Sequence, residues 1–281
     1  MYTGNFIFLC LNKRFTIIEE FGIISGTKFY IFTERRCPVA NYYDNEKFFN
    51  GYMSIRSQKM NYNNCIEEPL MLKLIGNTEG KDILDIGCGS GDLSSILAKT
   101  ANSVLGIDIS QKMLNTAREK NISNNIRYQE LSMENIDSLS EKFDIAVSSL
   151  AFHYVENFEK LILDISKLLR KRGSLIFSQE HPMVTANRQL KDWICDPETK
   201  SRYWPVSNYN EEGERFEKWF IDNVKKYHRT LSTIINTIIK NNFEILEIAE
   251  SRADDELISK EPKFLNGKNL AHFLFIKARK L

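Results

Sequence analysis

Between residues 82 and 180, short runs of aliphatic and β-branched residues alternate with stretches whose apolar positions recur every three or four residues. The runs are Asp82–Gly87, Val104–Ile109, Ile126–Glu130, Asp144–Ser149 and Ser174–Glu180; helical stretches begin near Leu93 and Met113 and span about Phe158–Leu169. This alternation predicts βαβ units with right-handed crossovers, hence an α/β fold around a parallel, doubly wound sheet. Upstream, Phe48, Phe49, Tyr52, Met53 and Arg56, then Ile66, Leu70 and Leu74, fall at helical spacing and predict two helices before the first of these strands. Residues 1–38 carry apolar clusters at Phe6–Leu11 and Phe29–Phe32 without a clear period, and read as an extension of unclear role ahead of a domain spanning 39–281.

After Glu180 the alternation stops. Residues 181–229 bring Trp193, Tyr203, Trp204, Tyr209, Trp219, Phe220 and Tyr227 together with Pro182, Pro197 and Pro205, an insertion with many rings to place. The chain closes with a helix over Thr230–Lys240 and strands over Phe243–Ser251 and Phe273–Arg279, expected to form an edge hairpin joined by a polar loop.

Charge adds little direction. The 281 residues hold 38 Lys and Arg against 37 Asp and Glu, a formal net charge of +1, which points away from a nucleic-acid backbone or an anionic membrane as main partner and toward a small-molecule site. Cysteines 10, 37, 65, 88 and 195 form no C-x-x-C pair, so free thiols and no metal site are expected. No apolar run approaches the roughly 20 residues of a membrane span, and Phe6–Leu11 lacks a basic flank and a cleavage site, so a cytoplasmic location is expected.

The most informative segment is Ile83–Ala98, ILDIGCGSGDLSSILA, in which a buried strand enters a G-x-G-x-G turn and then a helix. Gly87, Gly89 and Gly91 permit positive φ and close approach of a ligand, and the helix beyond offers free N–H groups. Asp85 can hold an ammonium, and Asp108, at the end of the next strand, can accept two ribose hydroxyls; together they describe an aminoacyl nucleoside. A dinucleotide loop would read G-x-G-x-x-G, whereas here Gly91 comes one residue early and Asp92 would repel a pyrophosphate; no P-loop run is present.

DILDIGCGSG, VLGIDIS, YQELSMENI, FDIAVSSLAFHYV and LLRKRGSLIFSQEHP resemble successive motifs of the class I S-adenosylmethionine (SAM)-dependent methyltransferases, over about Tyr42–Arg279 and closest to the branch acting on small molecules. The resemblance implies a Rossmann-like, mostly parallel seven-stranded sheet with an antiparallel last strand and a lid insertion over about 181–229. It implies SAM as cofactor, with Asp85, Gly87, Cys88, Gly89 and Gly91 around the methionine part and Asp108 on the ribose. Ile109 and Met113 would flank the adenine, Met133 and Glu134 lie at its edge, and Ser148 stand beside the sulfonium. The sequence departs from the family at Leu131 and Ser132, where many relatives carry an Asp for the adenine amine. Tyr52 and Arg56 either cover the cofactor or serve helix packing.

In an open α/β sheet, ligands bind beyond the carboxyl ends of the strands. The candidates there are His153, as base or orienting group, with Glu180, His181 and His228; His272 reads as structural. One positioned base suffices for in-line methyl transfer to an oxygen or nitrogen. Tyr203–Asn210 and Trp219–Thr230 read as a lid over the acceptor, or as a small core of their own. The expected partners are a small-molecule acceptor and, for the chain itself, a monomer or homodimer, with no nucleic acid and no membrane. Two alternatives stay open: a nucleic-acid or protein methyltransferase, which the SSLAFHYV segment does not favour since it lacks N-P-P-Y, and a SAM-binding protein without transferase activity.

Overall fold

The computed structural model describes residues 8–11, 14–24, 27–36, 41–188 and 192–281. The chain divides into two compact units, 1–40 and 41–281. In the first, strands β1 (Phe8–Leu11), β2 (Arg14–Ile24) and β3 (Thr27–Arg36) form an antiparallel meander, with a register shift between Glu20 and Gly22. No period is readable along these strands; the expected boundary at 38–39 and Cys37 lie outside the described residues.

The second unit begins with α1 (Glu46–Arg56), capped by the Asn45 side chain, and α2 (Glu68–Ile75), entered through a π-helical turn over Asn63–Glu67. The alternation then appears as read: β4 (Asp82–Ile86), α3 (Asp92–Leu97), β5 (Ser103–Asp108), α4 (Gln111–Lys120), β6 (Ile126–Glu130), β7 (Phe143–Ser148), α5 (Phe158–Leu168) and β8 (Leu169–Glu180). Next come α6 (Pro182–Thr185), the short ribbon β9 (Ile194–Cys195) and β10 (Arg202–Tyr203), and the hairpin β11 (Gly213–Trp219) and β12 (Ile221–His228). The last elements are α7 (Leu231–Lys240), β13 (Phe243–Glu250), α8 (Asp255–Lys260), α9 (Asn266–Asn269) and β14 (Phe273–Lys280).

The main sheet has seven strands in the order β13-β14-β8-β7-β4-β5-β6. β14 runs antiparallel to both its neighbours, and the other strands share one direction. The expected antiparallel pair at the edge is present, but β13 forms the rim while β14 sits inside against β8. The connection between them carries α8 and α9 in place of the expected polar loop, because Asp254 caps one short helix and Phe264 anchors the segment in a small core with Ile66 and Ala253.

β4 is buried on both faces from Ile83 onward, as a central parallel strand must be, which explains Ile83, Leu84 and Ile86 and makes the buried Asp85 among them stand out. On α5, Phe158, Leu161, Ile162, Ile165 and Leu168 form one stripe that packs with Ile234 and Ile238 of α7 over one face of the sheet. Met71, Leu74 and Ile75 of α2, with Leu93 and Leu97 of α3, cover the other. Apolar stripes of this width supply most of the stability, at about 25 cal/mol for each Å² withdrawn from water. Among the described residues no helix is long and apolar enough to cross a membrane, and Cys65, Cys88 and Cys195 are free thiols.

Candidate active site

At the carboxyl end of β4 the backbone turns through Gly87, Gly89 and Gly91 at φ values of +72°, +53° and +76°. A β-carbon on Gly87 would stand 2.6 Å from the Ala151 Cβ, and one on Gly91 would stand 2.3 Å from the Tyr128 hydroxyl. One on Gly89 would meet nothing within 4 Å. Packing therefore dictates the outer two glycines, whereas the middle one faces open space, a cradle that a ligand can approach closely. Gly91 caps α3, whose first N–H groups point into this region.

The two acids flank the cradle. Asp85 is buried and accepts a 2.6 Å hydrogen bond from Ser94 Oγ. Burial pushes its carboxyl up to about 7, with the charges of Asp108 and Glu67 adding to the effect. Asp108, at the end of β5, accepts the Gly89 N–H at 2.9 Å and the Ser110 N–H at 2.8 Å, so it braces the loop it borders. Burial raises its pKa despite these bonds, and a carboxylate's lone pairs leave capacity for a hydroxyl donor.

The remaining cofactor candidates are spread around this centre. Ile109 is half-buried and its carbonyl accepts from Asn41 at 3.1 Å, whereas Met113 is only 1% exposed and lies in the packing of α4. Met133 approaches the Gly87 position, its Cε 3.6 Å from where a β-carbon would stand. Glu134 accepts from the Glu156 N–H at 3.4 Å. Ser148 is buried and donates to the Ile86 carbonyl at 2.8 Å, tying the ends of β7 and β4 together. Burial pushes the Cys88 thiol up, away from thiolate chemistry. Arg56 pairs with Asp92 at 2.9 Å, joining α1 to the start of α3, while the Tyr52 ring lies 5.1 Å from Tyr43 and 6.0 Å from Trp219.

Of the four catalytic candidates the structure brings His153 and Glu180 together. The Glu180 N–H donates to His153 Nδ1 at 3.4 Å, which leaves the ring proton on Nε2. Burial, helped by the Lys226 charge, holds this imidazole well below its usual pKa and therefore neutral. His181 and His228 are engaged elsewhere. His181 caps α6 through Nδ1 and reaches Glu250 through Nε2 at 2.9 Å. His228 is fully buried, 2.7 Å from Thr185 Oγ1 and donating through Nε2 to the Tyr209 carbonyl at 2.8 Å. His272 lies beside Tyr62, with ring centroids 5.0 Å apart.

Sequence reasoning missed the partners of Glu180. Lys226, on β12 and 5% exposed, contacts Glu180 at 2.5 Å and also Glu217 on β11. Its ammonium lies 5.5 Å from the Trp219 ring centre and 5.9 Å from that of Tyr154. The two carboxylates push the Lys226 pKa up to about 12 against the opposing burial. Trp219 in turn packs edge-on against Phe48 of α1, and the Tyr42 hydroxyl accepts the Lys225 N–H at 3.0 Å. The insertion is thus pinned to α1 and to the end of β8. The apolar residues of Gly213–His228 do not alternate, with Arg215 buried and Phe216 exposed, so no local pattern announces the hairpin or the pairing of Lys226 across to Glu180.

A methyltransferase-domain family model matches residues 84–177. An uncharacterized protein of Haemophilus influenzae is 38% identical over 251 residues, covering 85% of this chain and 96% of that one. The solved SAM-dependent methyltransferase of Mesorhizobium loti superposes with a TM-score of 0.70 at 33% identity, covering 76% of this chain and 97% of that one. The ubiquinone biosynthesis O-methyltransferase of Coxiella burnetii is 31% identical over 131 residues, 46% of this chain and about half, 51%, of the relative's length.

Proposed function

Because the chain belongs to the class I SAM-dependent methyltransferases, we propose that it moves the methyl group of SAM to an oxygen or nitrogen of a small-molecule acceptor. When bound, SAM supplies a methyl group made electrophilic by the positive sulfonium. In this reading Asp85 holds the ammonium, Asp108 the ribose hydroxyls, and Gly89 lets the backbone approach. Ile109, Met113, Met133 and Glu134 border the adenine, and Ser148 marks the sulfonium end. Tyr52 and Arg56 cover the site from α1.

The observation that carries the acceptor side is the pinning of hairpin β11–β12 over the strand ends by the Glu180–Lys226–Glu217 ion cluster and by Trp219 against α1. A hairpin held over the strand ends in this way suits a small acceptor and the exclusion of water better than it suits a nucleic-acid groove. His153, neutral and carrying its proton on Nε2, acts as a donor that orients the acceptor, and Glu180 is the group able to take a proton. His181 and His228 shape the insertion through the bonds described above. The basic run at Arg170 does not supply a phosphate track: Arg170 is bound to Asp82 and Asp144 at 2.8 Å each, at the opposite end of the sheet from the glycine loop.

The test is release of S-adenosylhomocysteine from SAM in the presence of fractionated metabolite extracts. Turnover with a low-molecular-weight fraction is expected; turnover only with RNA, DNA or protein would overturn the small-molecule reading.

A further inference from the structure

We infer that Glu67 is a positioning residue for methyl transfer: through the hydroxyls of Ser149 and Ser178 it holds the turn after β7 against the glycine loop. The inference rests on the placement of the sulfonium beside that turn proposed above.

Glu67 ends the π-helical turn that leads into α2, a wide turn of the kind that recurs at functional sites. Its side chain is buried, yet neither cofactor nor acceptor chemistry accounts for an acid here. Its Oε1 accepts from Ser149 Oγ at 2.8 Å and from Ser178 Oγ at 2.5 Å. These serines sit at the carboxyl ends of the adjacent strands β7 and β8. The Leu150 N–H is shared between Ser178 Oγ at 3.0 Å and the Ser178 carbonyl at 3.1 Å. Leu150 has a φ of +52°, a conformation that residues with a β-carbon rarely adopt. A continuous chain therefore runs from the Leu150 N–H through the Ser178 hydroxyl to Glu67.

A carboxylate can only accept, so Glu67 fixes both serine hydroxyls as donors and leaves a Ser178 lone pair to hold Leu150. Without that acceptor both hydroxyls are free to rotate, and the left-handed turn keeps its bond to the Ser178 carbonyl but loses the hydroxyl that fixes its second contact. The next residue, Ala151, is the one that a β-carbon on Gly87 would strike, so a shift in this turn reaches the glycine cradle directly. In-line transfer is sensitive to sub-ångström misplacement, which makes such a brace a lever on the methyl group more than on the rest of SAM.

Calorimetry of the full chain with SAM and with S-adenosylhomocysteine, which lacks the methyl and its charge, reads this selectively. Glu67→Ala is expected to weaken SAM at least fivefold while S-adenosylhomocysteine stays within twofold. Glu67→Gln, whose amide oxygen still accepts both hydroxyls, should bind both probes within twofold of the parent chain. Ser178→Ala, which cuts the chain without disturbing α2, should shift the SAM-to-S-adenosylhomocysteine ratio in the same direction as Glu67→Ala. Equal losses for both probes in the alanine variants, an unchanged ratio in Ser178→Ala, or a Gln variant as damaged as Ala would each overturn the inference. Failure of the underlying cofactor assignment looks different: Asp108→Ala would then leave both probes at parental affinity.

Discussion

The glycine loop and the hairpin β11–β12 both meet helix α1, yet they are held in unlike ways. The loop is fixed by its own backbone: Gly87 and Cys88 donate to the Ile107 carbonyl at 2.8 and 2.9 Å, and the Asp108 carboxylate takes the Gly89 N–H. The hairpin is fixed by its own side chains reaching out to other elements, with Lys226 between Glu180 and Glu217, Trp219 on Phe48, and Arg215 donating to the Thr185 and Ala186 carbonyls. Backbone-built sites demand particular residue types at particular spacings and tolerate almost no change. Side-chain-built ones can be assembled from many sequences, which suits a cover whose shape must follow its acceptor.

The sharpest break in the comparison comes from two substitutions two residues apart. Gly91→Ala combines positive φ with a β-carbon 2.3 Å from the Tyr128 hydroxyl, and should cost about 3 kcal/mol of stability together with SAM binding. Gly89→Ala meets no such obstacle and should cost only about 1 kcal/mol in thermal unfolding, while weakening SAM at least tenfold because the new methyl fills the cradle. Equal effects on stability and affinity from both would mean that the loop is uniformly structural.

The hairpin should respond in the opposite sense. Lys226→Met leaves Glu180 and Glu217 without their counter-charge, and should destabilise by about 2 kcal/mol, less than for a fully buried pair because both carboxylates keep some solvent. SAM affinity should remain within threefold while acceptor turnover falls. A large loss of SAM binding would show that the hairpin belongs to the cofactor site.

Much of this division could be read in the chain beforehand. A strand buried on both faces is mostly apolar, so a lone acid such as Asp85 stands out in it, and a loop with three positive φ values must be glycine-rich; β4 and its turn were therefore legible residue by residue. Asp85 and Asp108 followed from where the strands end. The lid was legible only as a place: its aromatics stood out, but which ring meets which depends on contacts between Phe48 and Trp219, far apart in sequence. Polar pairs were less legible still. Nothing local distinguishes Lys226 from Lys225, or Glu67 from Glu68, because burial of a charge is decided by the elements that pack around it. Among the histidines, position near the strand ends was visible from the chain. The bonds that occupy His181 and His228 depend on Glu250, Thr185 and Tyr209, and were not.

A smaller effect sharpens the electrostatic side of the loop. Asp85 is raised in the folded chain to about 7 from an ordinary carboxylate value, mainly by burial. The folded state therefore holds a proton that the unfolded state has released, and the ligand-free protein loses stability as pH rises from about 4 through 7. A bound ammonium favours the ionised form, so SAM affinity should increase roughly tenfold from pH 6 to pH 8, with proton release on binding at the lower pH. Asp85→Asn should flatten that profile; an unchanged slope would assign the titration to another group.

The smallest expected effect concerns residues 1–38. The unit from Asn41 onward contains the complete seven-stranded sheet, both layers of its core and the glycine loop. A chain beginning at Val39 keeps Asn41 on the Ile109 carbonyl and Asp44 on Ser110 Oγ, at 3.1 and 2.6 Å, the contacts that brace the start of α4 beside Asp108. It should melt within about 2 °C of the full chain, less than the shift produced by 1 kcal/mol in a domain of this size, and bind SAM within twofold. A cut at residue 45 removes both braces and should lower SAM affinity, because Ser110 and Asp108 lose their outer support. If the shorter deletion already lowered the melting temperature by more than a few degrees, the meander would be part of the fold's stability, and the loop could no longer be treated as complete within the second unit.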